Sequence, residues 1–424
     1  MTEPDVEQRE GRAQYHGPHA PDPLAAGRIV WARPAPDRHR GPPGSSPVDL
    51  AAILGAHGIP KEWCPDQRKA ARAITICRTV EAGGHVLSCA ECGYQEIAYN
   101  SCRNRHCPTC QGAAQHDWLE KQEAALLPVV YHHTVFTVPD ELKVVFLSAP
   151  RQAYDLLFEA VSETLKEVAA THLGGQIGFT AVLHTWTQKL DYHPHIHCIV
   201  PGGALQPGDR WQPTRERYFL PVEILSKVFR GKLLSKLQAA IEAGTIPADA
   251  PGGLGPLQAA SRHDWVVWST TPAAGAARVL AYLSRYTYRV AISNRRLVAL
   301  DGDLVSFRYK DRRHGNQERI MTLSLAEFVR RFIGHVLPTG FVRIRHFGFL
   351  AGSVRKTATE KVRKAIGDSP PAPIIPDESW DAATPSEGGQ RFHVCPACAS
   401  PLAVIERLSP ERLRWLLQGS ATAS

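Results

Sequence analysis

The chain has 424 residues, of which 43% are hydrophobic and 21% charged, so it is long enough for about two or three domains with real cores. Its formal net charge of +8 favours a polyanionic partner, and no apolar run reaches the roughly 18 residues of a membrane-spanning helix. Because residues 1–17 are charged and lack the apolar core of a signal peptide, we expect a cytoplasmic protein whose ten cysteines are thiols or metal ligands.

The predicted elements begin after a tail, residues 1–45, that is rich in Pro, Gly, Arg and Asp and that we expect to be disordered. A zinc-binding domain with helical flanks is predicted over residues 46–127. It has a short helix at 47–58 and a second helix at 113–127, with a dense group of cysteines between them.

The middle of the chain, residues 128–366, has the pattern of a mixed domain. A β-branched and aromatic run at 129–139 predicts a strand, and helical periodicity follows at 151–172. Two further strands, 178–188 and 193–203, predict a hairpin. The next predicted elements are a helix, a strand and a helix, at 221–244, 264–269 and 272–291. This order predicts an α+β fold, with an antiparallel sheet covered by helices.

The C-terminal part of this domain contains a predicted hairpin at 296–310, with an Asp-Gly turn. A helix at 324–337 begins with a capping box of Ser324 and Glu327 and ends before Pro338. Residues 367–424 are predicted to be a linker and a C-terminal tail with a CPAC motif and a final helix.

Two CxxC pairs predict a structural zinc site. Fourteen residues separate Cys89 and Cys92 from Cys107 and Cys110, and each CxxC turn directs two sulfurs toward one point. A small domain with little apolar sequence needs such a metal for folding, so we expect one Zn²⁺ on these four residues. Nearby residues that could replace a ligand are Cys77, His85, Cys102 and His106.

Two smaller features accompany the cysteines. Arg103 and Arg105 make this region a candidate nucleic-acid contact. Cys395 and Cys398 near the C-terminus form half of a metal site, to which His393 could add a third ligand, and no fourth ligand is evident nearby.

The stretch DYHPHIHCIVPGG places His193, His195 and His197 on alternate positions. Alternate residues of a strand share a face, so their imidazoles would share one face. Such a pair can hold a divalent cation and leave coordination positions open for substrate oxygens. The other interpretation is a strand with a polar, solvent-washed face.

A second feature favours the metal site. Tyr282 and Tyr286 are four residues apart on one face of a predicted helix, with Arg285 and Arg289 on the adjacent face. A tyrosine pair at this spacing also suits core packing. A phenol with a pKa of about 10 is a poor nucleophile, but a cation that polarises a phosphate makes the phosphorus easier to attack. The phosphotyrosine formed conserves the energy of the phosphodiester, so rejoining needs no ATP.

With these features, the chain resembles the two-tyrosine HUH transposases of rolling-circle bacterial insertion sequences, in which two histidines flank a hydrophobic residue, here Ile196. The resemblance spans roughly residues 50–355. The stretches that carry it are GGHVLSCAECGYQEIAYNSCRNRHCPTC, LHTWTQKLDYHPHIHCIVPGGAL, YLSRYTYRVAISNRRL and GFVRIRHFGFLA.

The resemblance implies a ferredoxin-like HUH endonuclease domain that nicks single-stranded DNA through a 5′-phosphotyrosine with Mg²⁺ or Mn²⁺. His195 and His197 would bind the metal, and Tyr282 and Tyr286 would be the nucleophiles, although relatives with a single effective tyrosine exist. HUH enzymes usually have a third ligand, for which Gln188 is the candidate and His193 the competitor.

The expected partners are single-stranded DNA at element ends and targets, and a second copy of the chain in a homodimer. One alternative function is an HUH replication initiator or relaxase, although the chain lacks the GxxxxGK[ST] phosphate loop of a fused helicase. The other is a non-enzymatic, zinc-dependent nucleic-acid-binding protein, in which the tyrosines would be core residues.

Overall fold

The computed structural model describes residues 29–30, 48–111, 126–215, 219–247, 253–269, 291–311, 314–367 and 394–421. Several predictions from sequence lie outside these residues. They are most of the tail at 1–45 and of the helix at 113–127, the helix at 272–291 apart from its last residue, and the linker from 368 to 393.

The described helices and strands follow the chain in this order. The N-terminal elements are β1 (Ile29–Val30), α1 (Leu50–His57), α2 (Pro65–Thr75), β2 (Gly84–Cys89) and β3 (Gln95–Tyr99). The central elements are β4 (Tyr131–Thr137), α3 (Lys143–Ser148), α4 (Pro150–Leu173), β5 (Gly178–Trp186), β6 (Tyr192–Pro201), β7 (Gly203–Gln206), β8 (Arg210–Pro213), α5 (Val222–Glu242), α6 (Gly255–Ser261) and β9 (Val267–Ser269). The remaining elements are β10 (Leu297–Asp301), β11 (Leu304–Asp311), β12 (Gln317–Ser324), α7 (Leu325–Ile333), β13 (Ile344–Gly348), α8 (Arg355–Ile366), β14 (Leu402–Leu408) and α9 (Pro410–Ala421).

The largest sheet in the described part of the chain is antiparallel, with the strand order β13-β5-β6-β4-β9. Leaving aside the short helices and the β7–β8 hairpin, the chain order β4-α4-β5-β6-α5-β9 is the β-α-β-β-α-β order of ferredoxin-like folds. The predicted α+β fold with an antiparallel sheet is therefore confirmed. Strand β6, which carries the alternating histidines, is the central strand of this sheet.

The two long helices, α4 and α5, pack on one face of the central sheet. Alternate residues of β6, such as Ile196 and Cys198, join their core, and Phe136 of β4 contacts Phe229 of α5 with ring centroids 5.1 Å apart. Since side chains alternate along a strand, His195 and His197 lie on the opposite face of the sheet.

A second module contains the sheet β10-β11-β12 and helix α7. The Asp-Gly turn forms as predicted, with Gly302 at a φ of +52°. The predicted cap of α7 also forms, because the Ser324 hydroxyl accepts a hydrogen bond from the Glu327 backbone N–H. Helix α1 packs on this module, where Leu50 shares an apolar cluster with Phe328. The N-terminal helical flank is thus joined to a late part of the chain.

The residues of the predicted C-terminal tail complete an N-terminal sheet of order β1-β3-β2-β14. Strand β14 pairs antiparallel with β2, and the predicted final helix is α9. The two segments meet because they share apolar side chains, which are Val86, Ile97, Leu408, Leu413 and Leu416. The tail at 394–421 is therefore continuous with the zinc-domain sheet, whereas the sequence suggested a separate segment.

Among the described residues, none of the helices combines the length and the apolar composition that crossing a bilayer requires.

Candidate functional site

Three histidines meet on the face of the central sheet opposite helices α4 and α5. His184, His195 and His197 can each direct one ring nitrogen so that these atoms lie within 4.8 Å of one another. His195 and His197 are alternate residues of β6, and His184 on β5 lies directly opposite His195 in the strand register. Residues paired across neighbouring strands share a face, so the pairing of β5 with β6 completes the group.

The three rings are close, and they differ in exposure. The centroid of the His197 ring is 4.5 Å from that of His184 and 4.9 Å from that of His195. His184 and His197 are buried, whereas His195 is half-buried. A cation at this site would be bound on its buried side by His184 and His197. A substrate would approach it from the more exposed side, next to His195.

Hydrogen bonds to Nδ1 orient two of these imidazoles. Nδ1 of His195 lies 2.6 Å from the His193 carbonyl oxygen, to which it donates. Nδ1 of His197 lies 2.8 Å from Nε2 of His133. A proton on each Nδ1 satisfies both bonds and assigns Nε2 as the atom that binds a metal, which is the usual second-shell arrangement for metal-binding histidine.

The two predicted third ligands make other contacts. Gln188 is in the turn between β5 and β6, and its backbone carbonyl accepts a hydrogen bond from the Arg296 guanidinium. His193 approaches Asp140, with 3.7 Å between His193 Nδ1 and a carboxylate oxygen, and burial lowers its pKa. The residue that the structure brings to the pair is His184, which sequence reasoning missed. The strand register of the predicted hairpin, which pairs His184 with His195, was the signal from which His184 could have been predicted.

The predicted nucleophiles Tyr282 and Tyr286, with Arg285 and Arg289, lie outside the described residues. Their segment begins after Ser269 of β9, which pairs with Thr134 of β4.

The cysteines form two groups of four among the described residues. The first group is Cys77, Cys102, Cys107 and Cys110, and the second is Cys89, Cys92, Cys395 and Cys398. The single site predicted on Cys89, Cys92, Cys107 and Cys110 is therefore wrong as a ligand set, although all four of its members lie in one group or the other.

The β2–β3 hairpin explains the division. Cys89 and Cys92 are at its turn, whereas Cys77 precedes β2 and Cys102 follows β3. Strands advance about 3.3 Å per residue, so the six residues of β2 separate the two ends of the hairpin by roughly 20 Å. Cys107 and Cys110 follow Cys102 and stay at its end.

The first cysteine group lies against the core that α1 and α2 share with α7. Its sulfurs are 3.5 Å apart for Cys77 and Cys110, and 3.6 Å apart for Cys102 and Cys110. A hydrogen bond from Cys102 holds the pKa of the Cys110 thiol well below its usual range, since neighbouring sulfurs stabilise its thiolate. Four converging sulfurs with one stabilised thiolate suit a structural Zn²⁺.

The two arginines of this region differ. Arg103 is exposed, whereas the half-buried Arg105 donates a hydrogen bond to the Phe341 carbonyl, and burial lowers its pKa. Arg105 thus ties the cysteine region to the loop before β13.

Comparisons with known proteins identify both parts of the chain. Residues 53–138 match the family described as transposase zinc-binding domain, and residues 178–358 match that described as putative transposase. No solved structure matches. The cysteine groups and the first match together support structural Zn²⁺.

Two relatives cover most of the chain. The putative transposase y4qJ of Sinorhizobium fredii (strain NBRC 101917 / NGR234) is 45% identical over 349 residues, which are 78% of this chain and 87% of the relative. The transposase for insertion sequence element IS801 of Pseudomonas savastanoi pv. phaseolicola is 29% identical over 310 residues, which are 71% of this chain and 74% of the relative. The chain therefore belongs to the transposases of insertion sequences with an N-terminal zinc-binding domain, as its resemblance to two-tyrosine rolling-circle transposases predicted.

Proposed function

We propose that this transposase nicks and rejoins single-stranded DNA through a 5′-phosphotyrosine at Tyr282 or Tyr286, with a divalent cation on His184, His195 and His197. The observation that carries the proposal is the meeting of three imidazoles on the neighbouring strands β5 and β6, on the face opposite the long helices. Strands β5 and β6 thereby supply a rigid support for the metal, and the half-buried His195 leaves an approach for DNA.

The donor set fits a cation. Three imidazoles leave coordination positions for phosphate oxygens, and the bonds of His195 and His197 through Nδ1 match those of metal-binding histidines. A set made only of nitrogen favours a first-row transition metal over Mg²⁺, which prefers oxygen ligands and retains water. We therefore expect Mn²⁺ to support the reaction better than Mg²⁺.

The proposed reaction balances as two transesterifications. The phenol of one tyrosine loses its proton and its oxygen forms a bond to the phosphorus as the bond to the 3′ oxygen breaks. The departing 3′ oxygen takes up a proton and leaves as a 3′ hydroxyl. A 3′ hydroxyl from another strand then reverses the step and frees the phenol. A bound cation would polarise the phosphate and stabilise the charge that develops on it.

The position of strand β9, which precedes the segment with Tyr282 and Tyr286, supports access of these tyrosines to the histidine face of the central sheet. Trp268 of β9 pairs with Val135, which itself pairs with His197, so all three share a face. The Trp268 indole is half exposed and contacts the His133 ring edge-on, with centroids 5.6 Å apart. The chain therefore enters the segment of residues 270–290 beside the histidines. Arg285, Arg289 and the exposed Arg103 are proposed phosphate contacts.

A covalent-adduct assay tests the proposal. The full chain is incubated with Mn²⁺ and a random pool of single-stranded oligonucleotides, labelled at either the 5′ or the 3′ end, and resolved on a denaturing gel. We expect an adduct that carries only the 3′ label, because the tyrosine retains the strand downstream of the nick. His184→Ala and the double variant Tyr282→Phe with Tyr286→Phe should lose it. Tyr288→Phe should keep it, because Tyr288 is two residues beyond Tyr286 and so off the helix face predicted for the two nucleophiles. An adduct that survives in the double variant would contradict the assignment.

A further inference from the structure

The second cysteine group joins two distant parts of the chain. Cys89 ends strand β2 and Cys92 lies in the turn after it, whereas Cys395 and Cys398 precede β14 and lie outside both family matches. The strands they flank pair antiparallel, with Leu402 opposite Cys89. The group is therefore built on a β-sheet and on the apolar cluster that β2 shares with β14 and α9.

The two CxxC turns have the same backbone structure. We call them the thiol knuckles, Cys89–Gly93 and Cys395–Ala399. In each, the carbonyl of the first cysteine accepts a hydrogen bond from the N–H four residues later, at 3.1 Å and 2.9 Å respectively. In each, the N–H of the first cysteine also donates to the carbonyl five residues later, Tyr94 or Ser400, at 2.8 Å.

The last residue of each knuckle has a left-handed conformation. Gly93 has a φ of +70° and Ala399 a φ of +60°. Glycine adopts this region without strain, but alanine rarely does. That Ala399 repeats the conformation of Gly93 indicates that both turns are shaped for the same purpose, which is to direct two sulfurs to one side.

The sulfur spacing fits a tetrahedral metal. The Sγ atoms of Cys89 and Cys398 are 3.4 Å apart, and so are those of Cys92 and Cys395. Four sulfurs bound to Zn²⁺ at about 2.3 Å lie about 3.8 Å from one another. A disulfide would require about 2.05 Å, so the arrangement suits a metal held by four thiolates. A tetrahedral set of four cysteines is typical of structural Zn²⁺ sites.

We propose that Cys89, Cys92, Cys395 and Cys398 bind a second Zn²⁺, separate from the site at Cys77, Cys102, Cys107 and Cys110. This second zinc fastens the C-terminal strand and helix to the N-terminal zinc domain. The family match to the zinc-binding domain ends at residue 138. With the second zinc, this domain depends on Cys395 and Cys398, which lie more than 250 positions later in the chain.

Zinc content tests the proposal directly. The full chain, with the histidine site removed by His184→Ala and purified without chelator, should contain two Zn²⁺ per chain by metal analysis. Cys395→Ser with Cys398→Ser should lower this to one, and Cys102→Ser with Cys107→Ser should also lower it to one. Cys64→Ser, at an exposed cysteine outside both groups, should leave two. Two Zn²⁺ retained after loss of Cys395 and Cys398 would overturn the proposal, as would one Zn²⁺ in the unaltered chain.

A second measurement uses the unaltered chain, so that it does not depend on a variant folding. Cys92, Cys398 and Cys64 are all exposed. With zinc bound, iodoacetamide should modify Cys64 at least 10-fold faster than Cys92 or Cys398, and adding a chelator should make the latter two react as well. Equal rates at Cys398 and Cys64 before chelation would overturn the proposal. Cysteines that stay unmodified after chelation until a reductant is added would indicate disulfides and would also overturn it.

Discussion

His133 lies directly behind His197 on the neighbouring strand. Nε2 of His133 is 2.8 Å from Nδ1 of His197, and the rings stack at 4° with centroids 5.0 Å apart. Both residues are buried. If Nε2 of His197 binds the metal, then its Nδ1–H donates to His133, which fixes both the tautomer and the orientation of the ligand ring.

The first prediction concerns this positioning contact. His133→Ala should weaken Mn²⁺ binding about 10- to 100-fold, because loss of a second-shell partner frees the ring of His197 to rotate. His133→Gln should recover part of the affinity, since its amide oxygen can accept the same hydrogen bond. Titration followed by the electron paramagnetic resonance signal of free Mn²⁺ measures the affinity. Equal weakening by both substitutions would indicate a packing role instead.

The second prediction separates the two candidates for the third ligand. His184→Ala should abolish measurable Mn²⁺ binding at the site, because two imidazoles remain where three converged. Gln188→Ala should change the affinity less than about 3-fold, since Gln188 contacts Arg296 through its backbone carbonyl, which the substitution retains. The same titration applies, and the reverse ranking would return Gln188 to the ligand set.

The third prediction concerns the first cysteine group. Cys107 is buried within the core that α1, α2 and α7 share. Loss of a structural zinc removes several kcal/mol of folding free energy, so Cys107→Ser should lower the melting temperature by about 10 °C. Differential scanning fluorimetry measures the change, with Cys64→Ser as the matched control. An unchanged melting temperature together with lost zinc would show that this metal has no structural role.

The fourth prediction is a pH dependence at His335. Nδ1 lies 3.3 Å from the Thr185 hydroxyl, Nε2 lies 3.1 Å from the Leu190 carbonyl, and burial lowers its pKa from 6.5 to about 4. Below pH 6.5 the unfolded chain binds a proton that the folded chain excludes. The contribution of His335 to the free energy of unfolding should therefore be fully present above pH 6.5. About 3 kcal/mol of unfolding free energy should be lost as the pH falls from 6.5 to about 4.

Urea unfolding at several pH values between 7.5 and 4.5 measures this effect. His335→Gln should show a shallower fall of the unfolding midpoint than the unaltered chain. His172→Gln, at an exposed position of α4, should show the same fall as the unaltered chain. A slope that His335→Gln leaves unchanged would assign the acid sensitivity to other groups.

The fifth prediction concerns a close approach in the central sheet. Gly348 of β13 has a φ of +60°, and a Cβ there would lie 1.7 Å from the Ile177 carbonyl oxygen. Gly348→Ala must therefore shift the pairing of β13 with β5, which should cost about 3 kcal/mol of unfolding free energy. Gly352→Ala has no atom within 4 Å of its Cβ and should stay within about 0.5 kcal/mol. Denaturant midpoints compare the two, and similar midpoints would contradict the prediction.

The sequence predicted local structural features correctly where the residues that determine them are close together in the chain. The alternation of His195 and His197 follows from the two-residue period of a strand. The cap of α7 at Ser324 and the turn at Gly302 likewise depend on residues within four positions. The nucleophile assignment at Tyr282 and Tyr286 stays a prediction, because these residues lie outside the described part of the chain.

These local patterns did not predict the contacts between residues that are far apart in the sequence. The third histidine is chosen by the register of β5 against β6, and that register depends on which residues the helices α4 and α5 bury. The partners of Cys89 and Cys92 are chosen by β14, some 300 residues later, through the shared cluster of Val86, Leu408 and Leu413. Thus the sequence by itself determined the chemistry available, namely imidazoles on one strand face and pairs of thiols at tight turns. Only the tertiary structure decided which of them meet, because burial of apolar surface selects the strand pairings that bring remote segments together.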